Sequence, residues 1–463
     1  MHSRRYAWCR LAPAIVMLAS MAGCGRQPAS PAPPLNVLLL VMDDVRWDAI
    51  GAAGNPVVKT PRLDRLAADG VRFENAFVTT SICMVSRASL LTGQYMSRHG
   101  VTAFSTPIEE DAWRSTYPAV LRASGYWTGF VGKYGVGRAR ESDFDFLRSY
   151  ETRHWFTEPD GSTVHVTEKN ERDALEFLRS RPVDRPFALS VSFFAAHAQD
   201  NAPEQYLPQE WSATPYEGVT MPPPVRGGEA YFDALPPFLR QPSNEGRVRF
   251  HWRFDTPDRY QDYLTRYYRL ITEADQAVGR LLDELDVQGV AGNTLVLFVA
   301  DNGYFQADRG LADKWYPYEE SIRVPLIVRD PRLPAARRGQ VVDSVALNID
   351  VAPTLVSAAG AAIPESMQGL DLSGLYLGER QGTERDEFFY EHPTITSKDR
   401  IPSSMALVRR DWKYVVWPEF GYDQLFNLRD DPGELVNLAG DPAQESVRQD
   451  FRRRLEAWQA RAR

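Results

Sequence analysis

Mostly apolar runs of strand length recur along the chain and predict a sheet that is buried on both faces. The runs cover residues 35–42, 126–131, 186–195, 294–300 and 324–328. A strand with one solvated face would alternate apolar and polar residues, so uniform runs favour parallel strands that are covered on both sides. The pattern therefore predicts an α/β fold with a central, mostly parallel sheet.

Amphipathic segments lie between these runs and predict helices that flank the sheet. The longest covers residues 258–286, where apolar side chains recur on one side at helical spacing. A shorter helix is predicted from Pro61 to Gly70, because Pro is typical of a first helical position and Gly of a helix end. Further helices are predicted at residues 117–125, 168–181 and 350–359, and a strand at residues 71–78.

The pattern changes at about residue 385 to short alternating strands. They are predicted at residues 388–391, 405–409, 412–416 and 424–427, and a last helix at residues 443–460. This pattern is typical of a small antiparallel sheet with one covering helix. We therefore expect a large domain over residues 35–384 and a C-terminal subdomain over residues 385–463.

Residues 198–257 show no regular pattern and are rich in Pro, aromatic residues and Arg. A long irregular insertion in a compact domain is usually functional, so one interpretation is a rim that faces the substrate. The alternative is a surface loop packed by its own aromatic side chains.

The amino terminus has the pattern of an export signal. Three arginines precede an apolar run over residues 11–22, which is too short for a membrane span and ends in Met-Ala-Gly-Cys at Cys24. This ending resembles a bacterial lipoprotein box, which predicts a signal peptide over residues 1–23 and a lipid anchor on Cys24. Residues 24–34, rich in Pro, Ala and Ser, then form a tether. We expect an exported lipoprotein in the periplasm or at the cell surface; the alternative is ordinary cleavage and a free protein.

Charge and cysteine content narrow the possible partners. The formal charge of −8 becomes −11 without residues 1–23, which carry three Arg and no acid, and this argues against nucleic acid as a partner. An anionic substrate would need a local basic pocket. Of the three cysteines, Cys9 would leave with the signal and Cys24 would carry lipid. Cys83 would then be alone, so no internal disulfide is expected.

Two apolar runs end on pairs of oxygen-bearing side chains. Asp43 and Asp44 follow the first run, and Asp301 and Asn302 follow the run at residues 294–300. Ligand sites in open α/β sheets lie beyond the carboxyl ends of the strands, where adjacent carboxylates would repel one another without a cation. The alternative is that the aspartates only cap the following segments. Oxygen ligands suit Ca²⁺, or less well Mg²⁺, and no His or Cys joins this set, which argues against zinc.

The stretch over residues 81–100 carries the most distinctive candidate chemistry. Residues 86–91 predict a short helix that Thr92 and Gly93 would end, and Cys83 then lies on the turn that enters it. Backbone N–H groups at a helix start favour negative charge and lower the pKa of a thiol. Arg87 would lie near Cys83, with donors suited to a tetrahedral oxyanion. The alternative is a buried structural cysteine.

This stretch resembles the signature C-x-P-S-R-x-x-L-x-T-G of the type I sulfatases, which belong to the alkaline phosphatase superfamily. The matching residues are Cys83, Ser86, Arg87, Leu90, Thr92 and Gly93. Val85 departs from the pattern, since the family usually has Pro or Ala there. The resemblance implies that a formylglycine-generating enzyme converts Cys83 to formylglycine (3-oxoalanine), whose hydrate is the nucleophile. It also implies that Asp43, Asp44, Asp301, Asn302 and the converted Cys83 bind Ca²⁺.

Three further residues resemble family positions that hold sulfate or the leaving group. The segment Gly-Lys-Tyr-Gly-Val-Gly after the run at residues 126–131 is similar to G-K-W-H-x-G, which places Lys133 on the sulfate. Lys314, after the Asp-Asn-Gly segment, has the same implied role. His197 corresponds to an active-site histidine, and either His197 or Lys314 would protonate the leaving oxygen. The family's other histidine falls on Gly135, and His99 and His165 are open candidates for its role.

The resemblance implies an alkaline-phosphatase-like fold and a calcium-dependent hydrolase of sulfate esters. Location and family together favour a sulfated glycan as the substrate. Two alternatives stay open at this point. One is a phosphate or phosphonate ester hydrolase of the same superfamily, because the same cations could hold phosphate. The other is a catalytically silent lipoprotein that binds sulfated glycans. The departures from the family pattern at Val85 and Gly135 favour this alternative.

Overall fold

The computed structural model describes residues 34–150, 152–379 and 385–463. Its strands are β1 (Asn36–Met42), β2 (Val71–Phe77), β3 (Trp127–Gly132), β4 (Phe146–Ser149), β5 (Trp155–Thr157), β6 (Thr163–His165), β7 (Phe187–Ser192), β8 (Thr294–Ala300), β9 (Phe305–Gln306), β10 (Ala312–Asp313), β11 (Leu326–Arg329), β12 (Gln340–Leu347), β13 (Glu387–His392), β14 (Ser404–Arg409), β15 (Trp412–Trp417) and β16 (Tyr422–Asn427). Eight of these strands form the central sheet, in the order β12-β2-β11-β8-β1-β7-β3-β4.

The central sheet is mostly parallel, as the apolar runs predict. Strand β1 lies at its centre and pairs in parallel with β7 and β8. Within this sheet only β11 runs antiparallel to its neighbours, β2 and β8. All seven residues of β1 and of β8 are buried, which is why their sequences carry no polar alternation.

The described residues also form helices. They are α1 (Pro61–Asp69), α2 (Cys83–Thr92), α3 (Met96–His99), α4 (Glu110–Trp113), α5 (Tyr117–Ala123), α6 (Val166–Ser180), α7 (Glu229–Asp233), α8 (Glu245–Arg253), α9 (Pro257–Val287), α10 (Glu319–Ile322), α11 (Val351–Ala358), α12 (Ser373–Leu377) and α13 (Glu445–Arg461). Helix α9 starts where the Thr256 side chain accepts a hydrogen bond from the Arg259 N–H at 3.3 Å. It packs against α1 and α6, whereas α2, α5 and α11 form a separate group.

The second sheet is antiparallel and consists of β13, β14, β15 and β16, with α13 packed against it. This confirms the predicted C-terminal architecture. The domain boundary at residue 384 stays a prediction, and residues 380–384 lie outside the described residues. The predicted signal peptide and lipid-bearing Cys24, and the tether up to residue 33, also lie outside them. No helix in the part of the chain that the structure describes is long and apolar enough to cross a membrane.

Several elements depart from the sequence prediction. The stretch over residues 198–257, predicted to be irregular, contains α7 and α8, which are short and carry few buried apolar residues. The edge strands β4 and β12 were not predicted, because both are partly exposed and lack a uniform apolar run. Helix α2 begins at Cys83 rather than at Ser86, so Cys83 is its first residue.

Candidate active site

The carboxyl ends of the central parallel strands bring the predicted acidic residues together. Met42 at the end of β1 lies level with Ala300 at the end of β8, and Gly132 in β3 lies level with Ser192 in β7. The residues that follow these ends therefore meet at one edge of the sheet. They are Asp43 and Asp44 after β1, Asp301 and Asn302 after β8, and Lys133 after β3.

The carboxylates of Asp43, Asp44 and Asp301 form one buried group whose ligand oxygens lie within 4.8 Å of one another. Burial raises the pKa of Asp44 and of Asp301 to about 6. Burial would also raise the pKa of Asp43, but Lys133, His197 and Arg87 outweigh it and hold that pKa well below its usual range. Three carboxylates at this spacing repel one another unless positive charge lies between or beside them.

These residues fit a hard cation. Asp43 Oδ1 and Asn302 Oδ1 are buried and have no hydrogen-bond partner among the described residues. Buried polar oxygens are nearly always satisfied, so two unpaired oxygens beside three carboxylates are the signature expected of a metal-ligand set. The Asn302 amide donates to Asp44 Oδ1 at 2.5 Å, which orients the Asn302 carbonyl away from that carboxylate.

Cys83 is buried at the start of α2, where Ile82 is the extended capping residue. Burial raises the pKa of the Cys83 thiol, and the carboxylates of Asp43 and Asp301 add to that rise, while Lys133 and Lys314 oppose it. The prediction that the helix start lowers this pKa is therefore wrong, because desolvation of a buried thiolate outweighs the N–H groups of one helix turn. As folded, the thiol is not an activated nucleophile.

Arg87 lies one helical turn after Cys83 and connects the strand ends. Its Nε donates to Asp301 Oδ2 at 2.8 Å, and its Nη2 lies 3.3 Å from Asp43 Oδ2. Its Nη1 donates to the Lys133 carbonyl at 2.7 Å and to the Ser192 hydroxyl. The guanidinium is thereby fixed at the edge of the acidic group.

Two lysines complete the charged group. Lys133 donates to Asp43 Oδ2, and Lys314 donates to Asp44 Oδ1. Burial would lower the pKa of each ammonium, but Asp43 raises the pKa of Lys133 and Asp44 raises that of Lys314 well above the usual range. Both lysines therefore stay cationic in this site.

His197 lies beyond the end of β7 and faces the same group. Its Nδ1 donates to the Ala198 carbonyl at 2.6 Å, so Nε2 is the ring nitrogen with a free lone pair, and it lies 3.6 Å from Asp44 Oδ2. Burial, followed by the positive charges of Lys314 and Lys133, lowers the pKa of His197 to about 4. Ligand atoms of Asp43, Cys83 and His197 also lie within 4.8 Å of one another, so a Cys and a His lie beside the acidic set, which itself offers only oxygen.

The other candidate histidines do not reach this site. His99 lies between Ser89, at 3.2 Å, and the Val101 N–H, at 3.1 Å. His165 lies 3.3 Å from Glu273 in a separate buried cluster. At Gly135 a Cβ would lie 2.9 Å from Arg87 Cδ, so Arg87 fills the space that a side chain at this position would need.

A cleft of about 1720 Å³ opens above the group, and Cys83, Lys133, His197 and Lys314 line it. Its walls are rich in cationic and aromatic side chains, namely Arg138, Arg148, Arg153, Lys169, Arg249, Arg400, Phe104, Tyr150, Trp155 and Trp315. Four acids also line it, and so the cations are in excess although the chain as a whole is acidic. The cleft is the local basic pocket that an anionic substrate requires.

Sequence reasoning missed the residue that joins the insertion to this site. Arg253, the last residue of α8, is fully buried and donates to Asp313 Oδ2 at 2.7 Å and to the Tyr304 hydroxyl at 2.8 Å. It also donates to Asp200 and to Gln205, both at 2.6 Å. Asp313 lies 3.6 Å from the Lys314 ammonium. The local sequence gives no signal for this contact, because Arg253 is one of several arginines in the segment.

An α/β sheet with buried carboxylates, cations and a cysteine at its carboxyl edge defines a hydrolase of the alkaline phosphatase superfamily. The sulfatase family model matches residues 35–361, and the model described as N-sulphoglucosamine sulphohydrolase, C-terminal, matches residues 307–461. The chain belongs to the sulfatase family, and the reaction of that family is the hydrolysis of sulfate esters.

Individual relatives agree with this assignment. The arylsulfatase of Clostridium perfringens (strain 13 / Type A) is 29% identical over 451 residues, which cover 87% of this chain and 90% of the relative. The N-acetylglucosamine-6-O-sulfatase of Bacteroides thetaiotaomicron is 22% identical over 510 residues, which cover 95% of this chain and 89% of the relative. The fold is shared with a protein solved in complex with its substrate D-glucosamine-2-N,6-O-disulfate, at a TM-score of 0.78 and 22% identity, covering 93% of this chain and 98% of that one.

Proposed function

We propose that this sulfatase removes sulfate esters from carbohydrates, with Cys83 converted to formylglycine and Ca²⁺ bound at the strand ends. The observation that carries the proposal is the buried group in which Cys83, three carboxylates and three cations meet beneath one cleft. A binding protein has no need to bury so many charges at one point, since each is costly to desolvate.

The metal would be held by Asp43, Asp44, Asp301 and Asn302. Their oxygen atoms favour a hard cation, and Ca²⁺ accepts more protein oxygens than Mg²⁺ does. When bound, Ca²⁺ supplies Lewis acidity and offsets the repulsion among the carboxylates. The unpaired oxygens of Asp43 and Asn302 support this assignment.

Converted Cys83 supplies a hydrated aldehyde hydroxyl as the attacking group. The chain's own residues hold the substrate against it. Arg87, Lys133 and Lys314 present fixed donors at the base of the cleft, where sulfate oxygens gain negative charge as the ester bond breaks. Because Lys133 and Lys314 stay protonated, they bind and stabilise this charge rather than transfer protons.

His197 is the residue that we assign as the acid for the leaving oxygen. Its Nδ1–H is engaged by the Ala198 carbonyl and its low pKa leaves Nε2 unprotonated, so Nε2 would take the proton that the attacking hydroxyl at residue 83 loses and pass it to the leaving oxygen in the cleft. In His197→Gln we expect kcat to fall by about 10²–10⁴-fold on an alkyl sulfate. On 4-nitrophenyl sulfate, whose leaving group needs no proton, the fall should be below about tenfold. Equal losses on both substrates would refute this role.

A carbohydrate substrate is supported by the walls of the cleft and by the relatives. Aromatic side chains such as Trp155, which is 38% exposed, provide flat apolar surface for a sugar ring, and the surrounding cations suit further anionic groups. One relative is an N-acetylglucosamine-6-O-sulfatase, and one structural neighbour holds a sulfated glucosamine. Both are proteins that handle sulfated amino sugars.

The decisive experiment measures conversion and turnover on the same preparation. The full chain is made in a host that carries the formylglycine-generating enzyme, and the mass of the tryptic peptide over residues 73–87 is measured by mass spectrometry. We expect the mass of an aldehyde in place of the thiol at Cys83. We then expect hydrolysis of sulfated glucosamines to exceed that of matched phosphate and phosphonate esters. Faster phosphate or phosphonate turnover would replace this proposal, and unconverted Cys83 with intact glycan binding would favour the silent binder.

Cys83→Ala, made in the same host, is the matched control. It should retain the melting temperature of the parent chain and lose turnover, because only the reacting group is removed. Residual turnover of the same size in this variant would mean that Cys83 is not the nucleophile.

We also propose that the protein is exported as a bacterial lipoprotein anchored through Cys24. The proposal is supported by the basic start, apolar centre and Met-Ala-Gly-Cys ending of residues 1–24. Labelled palmitate should enter the parent chain and not Cys24→Ser. Label in both chains, or in neither, would refute the anchor.

A further inference from the structure

The unconverted protein contains a second set of metal ligands that shares one residue with the calcium set. Ligand atoms of Asp43, Cys83 and His197 all lie within 4.8 Å of one another. This set has one sulfur, one imidazole nitrogen and one carboxylate oxygen, whereas the set of Asp43, Asp44 and Asp301 has oxygen alone. Mixed nitrogen and sulfur ligands select zinc-type cations, and carboxylate oxygens select calcium.

Each of the three side chains offers a free ligand atom. The Nδ1–H of His197 is held by the Ala198 carbonyl, which is the usual arrangement for a histidine that binds metal through Nε2. Asp43 Oδ2 is occupied by Lys133 and Arg87, while the buried Oδ1 of the same carboxylate has no partner. The Cys83 sulfur lies in the same cleft as His197, and Cys83 forms no disulfide in the described part of the chain.

The charge balance permits an added cation. With the thiolate formed, Cys83 and the carboxylates of Asp43, Asp44 and Asp301 outnumber the cations Arg87, Lys133 and Lys314 by one. Binding releases the thiol proton to solvent, and no oxidant or reductant takes part. Three protein ligands beneath an open cleft leave a fourth position for water, which is the pattern of zinc sites that are not purely structural.

We propose that, in a folded chain whose Cys83 is not converted, Asp43, Cys83 and His197 bind a zinc-type cation, and that a converted chain lacks this site because the sulfur is gone. The unconverted chain is then a zinc binder and the converted chain a calcium binder at the same place in the fold. The inference takes from the proposed function only that Cys83 is the converted residue. Zinc binding by the thiol form does not depend on sulfatase activity.

The test uses the full chain made in a host without the formylglycine-generating enzyme, with Cys83 verified as thiol by mass. Co²⁺ serves as a spectroscopic probe for zinc, because a thiolate ligand gives a charge-transfer band in the near ultraviolet. We expect one Co²⁺ to bind per chain and to give this band. The spectrum of Cys83→Ser is subtracted as the baseline, because that variant retains Cys9 and Cys24 and shows any signal that they contribute. Added Zn²⁺ should displace the cobalt, and excess Ca²⁺ should not restore the band.

Matched variants identify the ligands. His197→Gln should lose the band, and His251→Gln, at an exposed histidine outside the set, should keep it. X-ray absorption of the zinc form of the parent chain is a second readout that needs no variant, and it should show one sulfur and one imidazole. A band that survives in His197→Gln, or a zinc shell without sulfur, overturns the inference.

The outcome is separable from that of the sulfatase assay. If the thiol form binds no zinc while the converted protein hydrolyses sulfate esters, this inference fails and the proposed function stands. If the band appears and loses its intensity in both ligand variants while the converted protein is inactive, the inference stands and the proposed function fails.

Discussion

Replacement of Arg253 by Met tests whether the buried arginine holds the insertion to the active site. The change removes the cation and all its donors but keeps a long apolar side chain. Asp313, Asp200, Tyr304 and Gln205 would each lose a hydrogen bond of 2.6–2.8 Å. Asp313 is buried, so its negative charge would remain in the interior with fewer positive charges beside it.

The magnitude follows from the burial. Breaking a buried ion pair by removing one partner costs about 3–5 kcal/mol, because the remaining charge stays desolvated. Asp313 retains longer contacts to Lys314 at 3.6 Å and Arg249 at 3.8 Å, which argues for the lower end of that range. We therefore expect the free energy of unfolding to fall by about 3 kcal/mol.

Activity should fall as well, since Asp313 precedes Lys314 and helps to fix its ammonium. A misplaced Lys314 would weaken stabilisation of the charge that develops on sulfate, and we expect kcat/KM on a sulfate ester to fall by about tenfold or more, with most of the change in kcat.

Urea unfolding followed by tryptophan fluorescence, together with steady-state kinetics, measures both effects. The control is Arg259→Met, which makes the same chemical change at a half-exposed ion pair with Asp255, 3.1 Å long. Exposed pairs contribute about 0–1 kcal/mol, so this variant should resemble the parent. An Arg253→Met protein with a loss below about 1 kcal/mol and unchanged kcat/KM would refute the reasoning.

Three further predictions concern protons, backbone and metal. Burial lowers the pKa of His99, His165 and His392 to about 3, so each is neutral in the fold but charged in the unfolded chain below about pH 6.5; relative to a variant with Gln in place of that histidine, the parent should lose about 2 kcal/mol of unfolding free energy between pH 6.5 and 5, and parallel pH profiles of the two chains in urea titrations would contradict the burial. Gly132→Ala should cost about 3–5 kcal/mol, because φ is +105° and the new Cβ would lie 2.0 Å from the Ser192 carbonyl, whereas Gly421→Ala, with φ of +56° and open space, should cost about 1 kcal/mol; equal melting temperatures would contradict this. Removal of divalent cations with a chelator should lower the melting temperature and activity of the converted enzyme, and Ca²⁺ should restore both; indifference to the chelator would argue against the metal site.

The sequence predicts the elements that are buried on both faces and misses those that are half-exposed. Strands β1 and β8 are found because every residue in them is buried and all but the first residue of each is apolar. Strand β12 is missed because it lies at the edge of the sheet, with several exposed positions and a register shift between Val342 and Val345. The pattern of apolar residues along the chain does not reveal such an edge strand, because its structure depends on pairing with a neighbouring strand that is distant in sequence.

The same limit applies to the candidate site. Asp43, Asp44, Asp301 and Asn302 could be named from the sequence because each pair follows an apolar run, and parallel strands end at one edge. Arg253 could not, since its partners come from three separate segments. The sequence predicts the wrong direction for the pKa of Cys83, because a helix start is visible in the sequence whereas the depth of burial is not.

The central position of β1 has a consequence for the order of events during synthesis. The Asp44 N–H donates to Asp301 Oδ1 at 3.2 Å, and these residues are 257 positions apart in the chain. At about 5–20 residues per second, a ribosome needs roughly 13–50 seconds to pass from the first to the second. Until β8 exists, β1 lacks a neighbour on one side and the strand-end group cannot assemble. Because Cys83 is only 2% exposed in the finished fold, we expect the proposed modifying enzyme to reach it more readily during this interval than after folding.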